Sequence, residues 1–290
     1  MQRGHRSLTA ELSAVLRAIH TVLDPQPSIF VERVAQPLLQ LDRQLLATAL
    51  QEQQAAAAQH GDPHHAVRVA ASLRMFTVIR SRFTRDTFFD SGLGQIVLLG
   101  AGLDLSLACE TDVPVFAVDH PDTSRWARSL FVEAGLPVYN TLHFVEMDFT
   151  EGPDLLLPTL AEHGFQREKP AFFVWLGVQP YLAIEHVLET ARVVASCPSG
   201  TQLVSDFMTP DTSWSGIGER AGKLLQDSPQ RELEPFKSYS APAQLEQQLL
   251  ACGFATARSV EAAEANARYC AKRTDGLSYP NCAAMVLAEV

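Results

Sequence analysis

From residue 95 onward the chain repeats one unit: a short apolar run, then a stretch that suits a helix. The runs are QIVLLGA (95–101), VPVFAVD (113–119), TLHFVEM (141–147), PAFFVWLGV (170–178) and TQLVSDF (201–207). Between them lie segments such as DTSRWARSLFVEAG, LLLPTLAEHG and IEHVLETARVVAS. Apolar runs this short, alternating with helices, predict parallel strands covered on both faces. The expected fold is therefore α/β, with a Rossmann-like doubly wound sheet. A last apolar run, AAMVLAEV, is expected to close that sheet as an edge strand.

Before residue 95 the texture is helical. LTAELSAVLRAIHTVL spaces its apolar residues by three and four and opens with Thr9 as the expected cap. VAQPLLQLDRQLLATALQEQQAAAAQ is rich in strong helix formers, HGDPHH at 60–65 breaks the pattern, and AVRVAASLRMFTVIRSRF resumes it. The expected organisation is a helical region over residues 1–90, acting as a lid, and an α/β ligand-binding domain over 91–290 with an insertion at about 208–240.

With 290 residues, 47% of them hydrophobic, the chain has enough material for a large core. Its formal net charge of −10 argues against nucleic acid or an anionic membrane as partner. No apolar run approaches a bilayer span, and MQRGHRSLTAELSAVL lacks the apolar stretch of a secretory leader. Cys109, Cys197, Cys252, Cys270 and Cys282 are odd in number, widely spaced and without a CxxC pair. They read as reduced thiols of a cytoplasmic protein, and no metal site is expected. The oligomeric state stays open, a homodimer included.

The loop Gly100-Ala101-Gly102 ends the first apolar run, where a doubly wound sheet binds its ligand. Glycine there admits unusual backbone angles and close approach of a ligand. Asp119 ends the second run nineteen residues after Gly100, where a carboxylate takes hydrogen bonds from ribose hydroxyls. A dinucleotide fingerprint needs a third glycine, but Leu105 stands in its place. S-adenosylmethionine (SAM) has a ribose and no pyrophosphate, so it needs the turn and the acid only. Asp148, with Phe149 after the third run, is placed for the adenine, its carboxylate accepting from the exocyclic amine.

Several segments resemble one family in the right order: RSRFTRD (80–86), VLLGAGLD (97–104), VDHP (118–121), VEMDF (145–149), PAFFVWLGVQPYL (170–182), EPF (234–236) and NARYCAKRTDGL (266–277). Over roughly residues 75–290 the chain is similar to bacterial members of the leucine carboxyl methyltransferase family. The resemblance implies a class I SAM-dependent methyltransferase fold. It also implies that Arg80 holds the methionine carboxylate of SAM, a task suited to a guanidinium fork. Gly100 and Gly102 would line the methionine moiety, Asp119 the ribose, and Asp148 with Phe149 the adenine. Arg82 is a second candidate for the carboxylate. Where relatives read GAGLDTRAYRL or GAGLDTFAYR, this chain reads GAGLDLSLACE; Ala117 stands where many carry an acid, and Leu176 where the carboxyl methyltransferases proper carry a glutamate. These departures leave the acceptor open.

Methyl transfer is an in-line substitution, so holding both reactants in line supplies most of the rate. A carboxylate acceptor needs no base, whereas a hydroxyl or amine does, and His120, His143 and His186 read better as structural residues. Trp175, Tyr181 and Tyr139 are expected beside the sulfonium, whose charge an aromatic face stabilises. Asn140, Ser205 and Asp206 are polar groups that could orient an amine or an acceptor, and Trp214 and Phe236 are the expected acceptor wall. The expected activity is O- or carboxyl-methylation of a small molecule of natural-product type. A second reading is a cyclase, in which the SAM α-amine attacks its own γ-carbon to give azetidine-2-carboxylate and 5′-methylthioadenosine. A third is a SAM-binding protein without catalysis.

Overall fold

The computed structural model describes residues 7–59, 63–148, 152–228 and 234–290. Four helices precede the first strand: α1 (Leu8–Val22), α2 (Ala35–Leu38), α3 (Arg43–Gln59) and α4 (Pro63–Ser91). The cap of α1 is Ser7 and not Thr9: the Ser7 hydroxyl accepts the Ala10 N–H at 3.2 Å, while Thr9 donates to Glu234 Oε2 at 2.9 Å. The helix starts two residues earlier than the expected Thr9 cap would place it. Helix α4 opens on Pro63, whose missing N–H costs nothing in a first turn.

Strands then alternate with helices: β1 (Ile96–Leu99), α5 (Ser106–Glu110), β2 (Val115–Asp119), α6 (Pro121–Glu133), β3 (Leu142–Glu146), α7 (Leu156–Glu162), β4 (Phe172–Trp175), α8 (Ile184–Ala195) and β5 (Gln202–Met208). The chain ends with α9 (Gly216–Gln226), α10 (Pro242–Cys252), β6 (Thr256–Val260), α11 (Ala262–Tyr269) and β7 (Ala283–Glu289). The seven-stranded sheet has the order β3-β2-β1-β4-β5-β7-β6. β1 to β5 pair in parallel, with Leu98 beside both Ala117 and Val174. β7 runs antiparallel to both β5 and β6.

Two sequence expectations are corrected here. The sheet is mixed, and the final apolar run is not its edge. β7 is covered on both faces, which is why it reads as Ala, Met, Val and Leu. The edge is β6, TARSV, whose alternating exposed residues and Arg258 gave no apolar run to find.

Side chains alternate across the sheet and divide the core. Leu98, Ala117, Phe172 and Val204 face α4, α6 and α9, whereas Leu99, Val118, Phe173 and Leu203 face α7, α8 and α10. The helical region is not a body apart: Met75, Val78, Ile79 and Phe83 of α4 share one apolar cluster with the sheet. The chain winds outward through β1, β2 and β3, then returns to β4 on the other side of β1. That reversal opens a crevice at the carboxyl ends of β1 and β4.

Candidate functional site

At the carboxyl end of β1 the backbone turns through Gly100 and Gly102, both at positive φ (69° and 51°). A side chain at Gly100 would overlap Val178, and one at Gly102 would meet Ala10 Cβ at 2.8 Å. The loop is thus closed on one side by the chain after β4 and on the other by the first turn of α1. Gly102 N–H donates to Asp119 Oδ2 at 2.7 Å, and His120 N–H donates to Oδ1 at 2.7 Å. Burial pushes the Asp119 carboxyl up to about 6, against the pull of these two donors and of His120.

His120 caps α6: its Nδ1 accepts the Asp122 N–H at 3.2 Å, so the neutral ring carries its proton on Nε2, 3.6 Å from Asp148. Asp119, His120 and Asp148 therefore stand together at the ends of β2 and β3. Phe149 lies outside the described residues.

On the other flank of the crevice, Arg80 of α4 donates from Nη1 to Asp206 Oδ2 at 2.9 Å, and the Gly177 N–H donates to Asp206 Oδ1. Arg80 is 5% exposed, lies over the Phe76 ring at 4.8 Å, and keeps a buried Nε with no acceptor. Arg82 is occupied elsewhere, with Asp86 at 2.8 Å and the Ile29 carbonyl at 2.7 Å.

The remaining sequence candidates separate. Trp175 is fully buried on the α8 face, away from Arg80, and the Ser205 hydroxyl donates to the Trp175 carbonyl at 2.9 Å. Tyr139 and Asn140 lead into β3, so they sit at the amino end of the sheet, opposite the glycine loop; the Tyr139 ring packs edge-on against Phe131. One strand length, about 15 Å, parts them from Asp119's level. His143 stacks on Phe116 and His186 is exposed on α8. Tyr181 does reach the mouth: it ends the turn after β4, and its ring lies 5.3 Å from Phe236, which in turn meets Tyr239 at 6.2 Å. This rim is pinned by Lys237 N–H and Ser238 Oγ, which donate to the carbonyls of Pro180 and Gln179. Trp214 lies deeper, under Gly222 of α9, with Nε1 donating to Thr209.

The family model of the leucine carboxyl methyltransferases matches residues 10–195, more than half of the chain. The chain belongs to the leucine carboxyl methyltransferase family. Like that family, it is a SAM-dependent transferase, with SAM as its cofactor. YktD of Bacillus subtilis (strain 168), assigned by name to the S-adenosyl-L-methionine-dependent methyltransferases, is 27% identical over 300 residues, covering 96% of each chain. In fold it is similar to a methyltransferase-named protein from Thermobifida fusca YX (TM-score 0.56, 14% identity, 96% and 94% of the chains covered). A DUF574 family protein from Streptomyces avermitilis is also similar (TM-score 0.51, 15% identity, 96% of each chain covered).

Sequence reasoning missed four residues around the crevice. Arg17, Glu32 and Asp104 tie α1 to the glycine loop, and Tyr279 stands beside Arg80 and Asp206. A lone arginine between Ala14 and Ala18 on an apolar helix was the available signal for the first. Tyr279 gave none.

Proposed function

We propose that the protein methylates an oxygen, hydroxyl or carboxylate, of a small apolar molecule of natural-product type. The observation that carries this reading is the rim at the mouth, where Tyr181, Phe236 and Tyr239 bring three aromatic rings together. The positive-φ glycine turn and the buried, unsatisfied Arg80 Nε fit SAM as cofactor. When bound, SAM supplies an electrophilic methyl group. Arg80, held by Asp206, would receive the methionine carboxylate; Asp119 would take the ribose hydroxyls; Asp148, with Phe149, the adenine. Helix α1, seated on Gly102, acts as a lid that keeps water from the crevice. His120, the histidine nearest these groups, is spent on its cap, which favours a carboxylate or an already acidic hydroxyl, since neither needs a protein base. The five free thiols suit a cytoplasmic setting.

Incubating the pure protein with SAM alone, with products read by mass spectrometry, tests the reading. SAM is expected to bind and remain intact until an acceptor is added, when S-adenosylhomocysteine (SAH) appears. Catalytic release of 5′-methylthioadenosine with a four-carbon cyclic amino acid, and no acceptor present, would move the assignment to intramolecular cyclisation. Bound SAM that no acceptor ever consumes would leave a binding protein.

A further inference from the structure

Tyr279 lies in the loop between α11 and β7, beside the carboxyl end of β5. Asn266 brackets its backbone from both sides: the Asn266 side chain donates to the Tyr279 carbonyl at 3.0 Å and accepts the Tyr279 N–H at 2.7 Å. The ring packs edge-on against Phe76, centroids 6.0 Å apart, and Phe76 carries Arg80 on its face. The residue is 2% exposed, yet its hydroxyl has no hydrogen-bond partner. A buried hydroxyl left unsatisfied costs free energy, and native structures rarely retain one without a reason.

Two buried donors thus flank Phe76 with nothing to accept from them: the Tyr279 O–H and the Arg80 Nε–H. Asp206, the anion of this corner, already accepts from Gly177 N–H and Arg80 Nη1. Burial, reinforced by the Asp206 charge, holds the phenol well above its ordinary titration range, so it stays a donor at any working pH. What the corner lacks is an acceptor. SAM has one anionic group, the carboxylate of its methionine part.

We propose that Tyr279 is a cofactor-binding residue, its hydroxyl donating to the methionine carboxylate of SAM alongside Arg80. The proposal rests on SAM occupying the crevice at β1 and β4. It makes the loop before β7 part of the cofactor site, so that the site draws on the carboxyl-terminal part of the chain as well as on the strands around the glycine turn.

The test is Tyr279→Phe, which keeps the ring on Phe76 and removes only the oxygen. Binding of SAH, which keeps the carboxylate, and of 5′-methylthioadenosine, which lacks it, is measured by calorimetry on both proteins, with thermal unfolding of the free forms. The expected result is SAH affinity about tenfold weaker in the variant, methylthioadenosine affinity unchanged, and a free-state melting temperature equal or higher. Unchanged affinity for both ligands would overturn the proposal and leave the hydroxyl a packing defect. Equal weakening of both would also overturn it, placing the effect in the pocket as a whole. Wild-type protein that binds neither ligand would overturn the cofactor reading itself and the proposal with it.

Discussion

Asp119 is the residue on which the cofactor reading turns, and its titration gives that reading a pH signature. Its carboxyl is raised to about 6 in the folded protein from the ordinary 3.8. A raised acid stabilises the fold most fully below its unfolded value, and that contribution is lost as pH rises through about 6. Ribose hydroxyls that donate to the carboxylate favour the ionised form, so binding lowers this value. SAH affinity should therefore rise between pH 5 and 7 and level off above, by about tenfold for each unit by which binding lowers it. Titration calorimetry across that range checks this, and Asp119→Asn should flatten the profile. Asp119 was legible because strand length and loop length together fix its distance from Gly100. Tyr279 was not, because its partners come from α4 and β5, far off in sequence, and only the folded chain brings them together.

Helix α1 owes its place over the glycine turn to a buried ion network. Arg17 donates from Nε to Glu32 at 2.7 Å and from Nη2 to the Leu103 carbonyl at 3.2 Å, and lies 3.4 Å from Asp104. Glu32 also accepts the backbone N–H groups of Val34 and Ala35 and the Ser106 hydroxyl, while Ser81 of α4 donates to Asp104. The guanidinium that serves this turn arrives from α1, so the turn and the first helix belong to one arrangement. Arg17→Met should destabilise the protein by about 3 kcal/mol, because Glu32 is left charged and buried. In urea unfolding, Arg17→Met combined with Glu32→Gln should cost less than the two single losses added. The helices of this region were legible from their spacing. Their attachment was not, since polar contacts across 86 residues leave no periodic trace.

Across the whole molecule, one apolar layer runs from Val69 and Ile79 through Leu98 and Val204 to Met285. Because α4 is built into that layer, calorimetric heating should give one cooperative transition covering residues 7–290. A separate early transition would show that the first 90 residues fold alone. The parallel half of the sheet was legible as apolar runs with helices between them, and its ligand end followed from the winding rule. The β6–β7 addition was not, because an exposed edge strand and a strand returning from the far side do not repeat that unit. The return of β7 has a practical consequence. Val290 exchanges hydrogen bonds with the chain at Gly200 and Thr201, at the foot of β5, whereas Ser7 and Thr9 stand at the mouth beside Glu234. A sensor surface that grips the molecule by Val290 leaves the crevice facing the solution, while one that grips it near Ser7 turns the entrance toward the support.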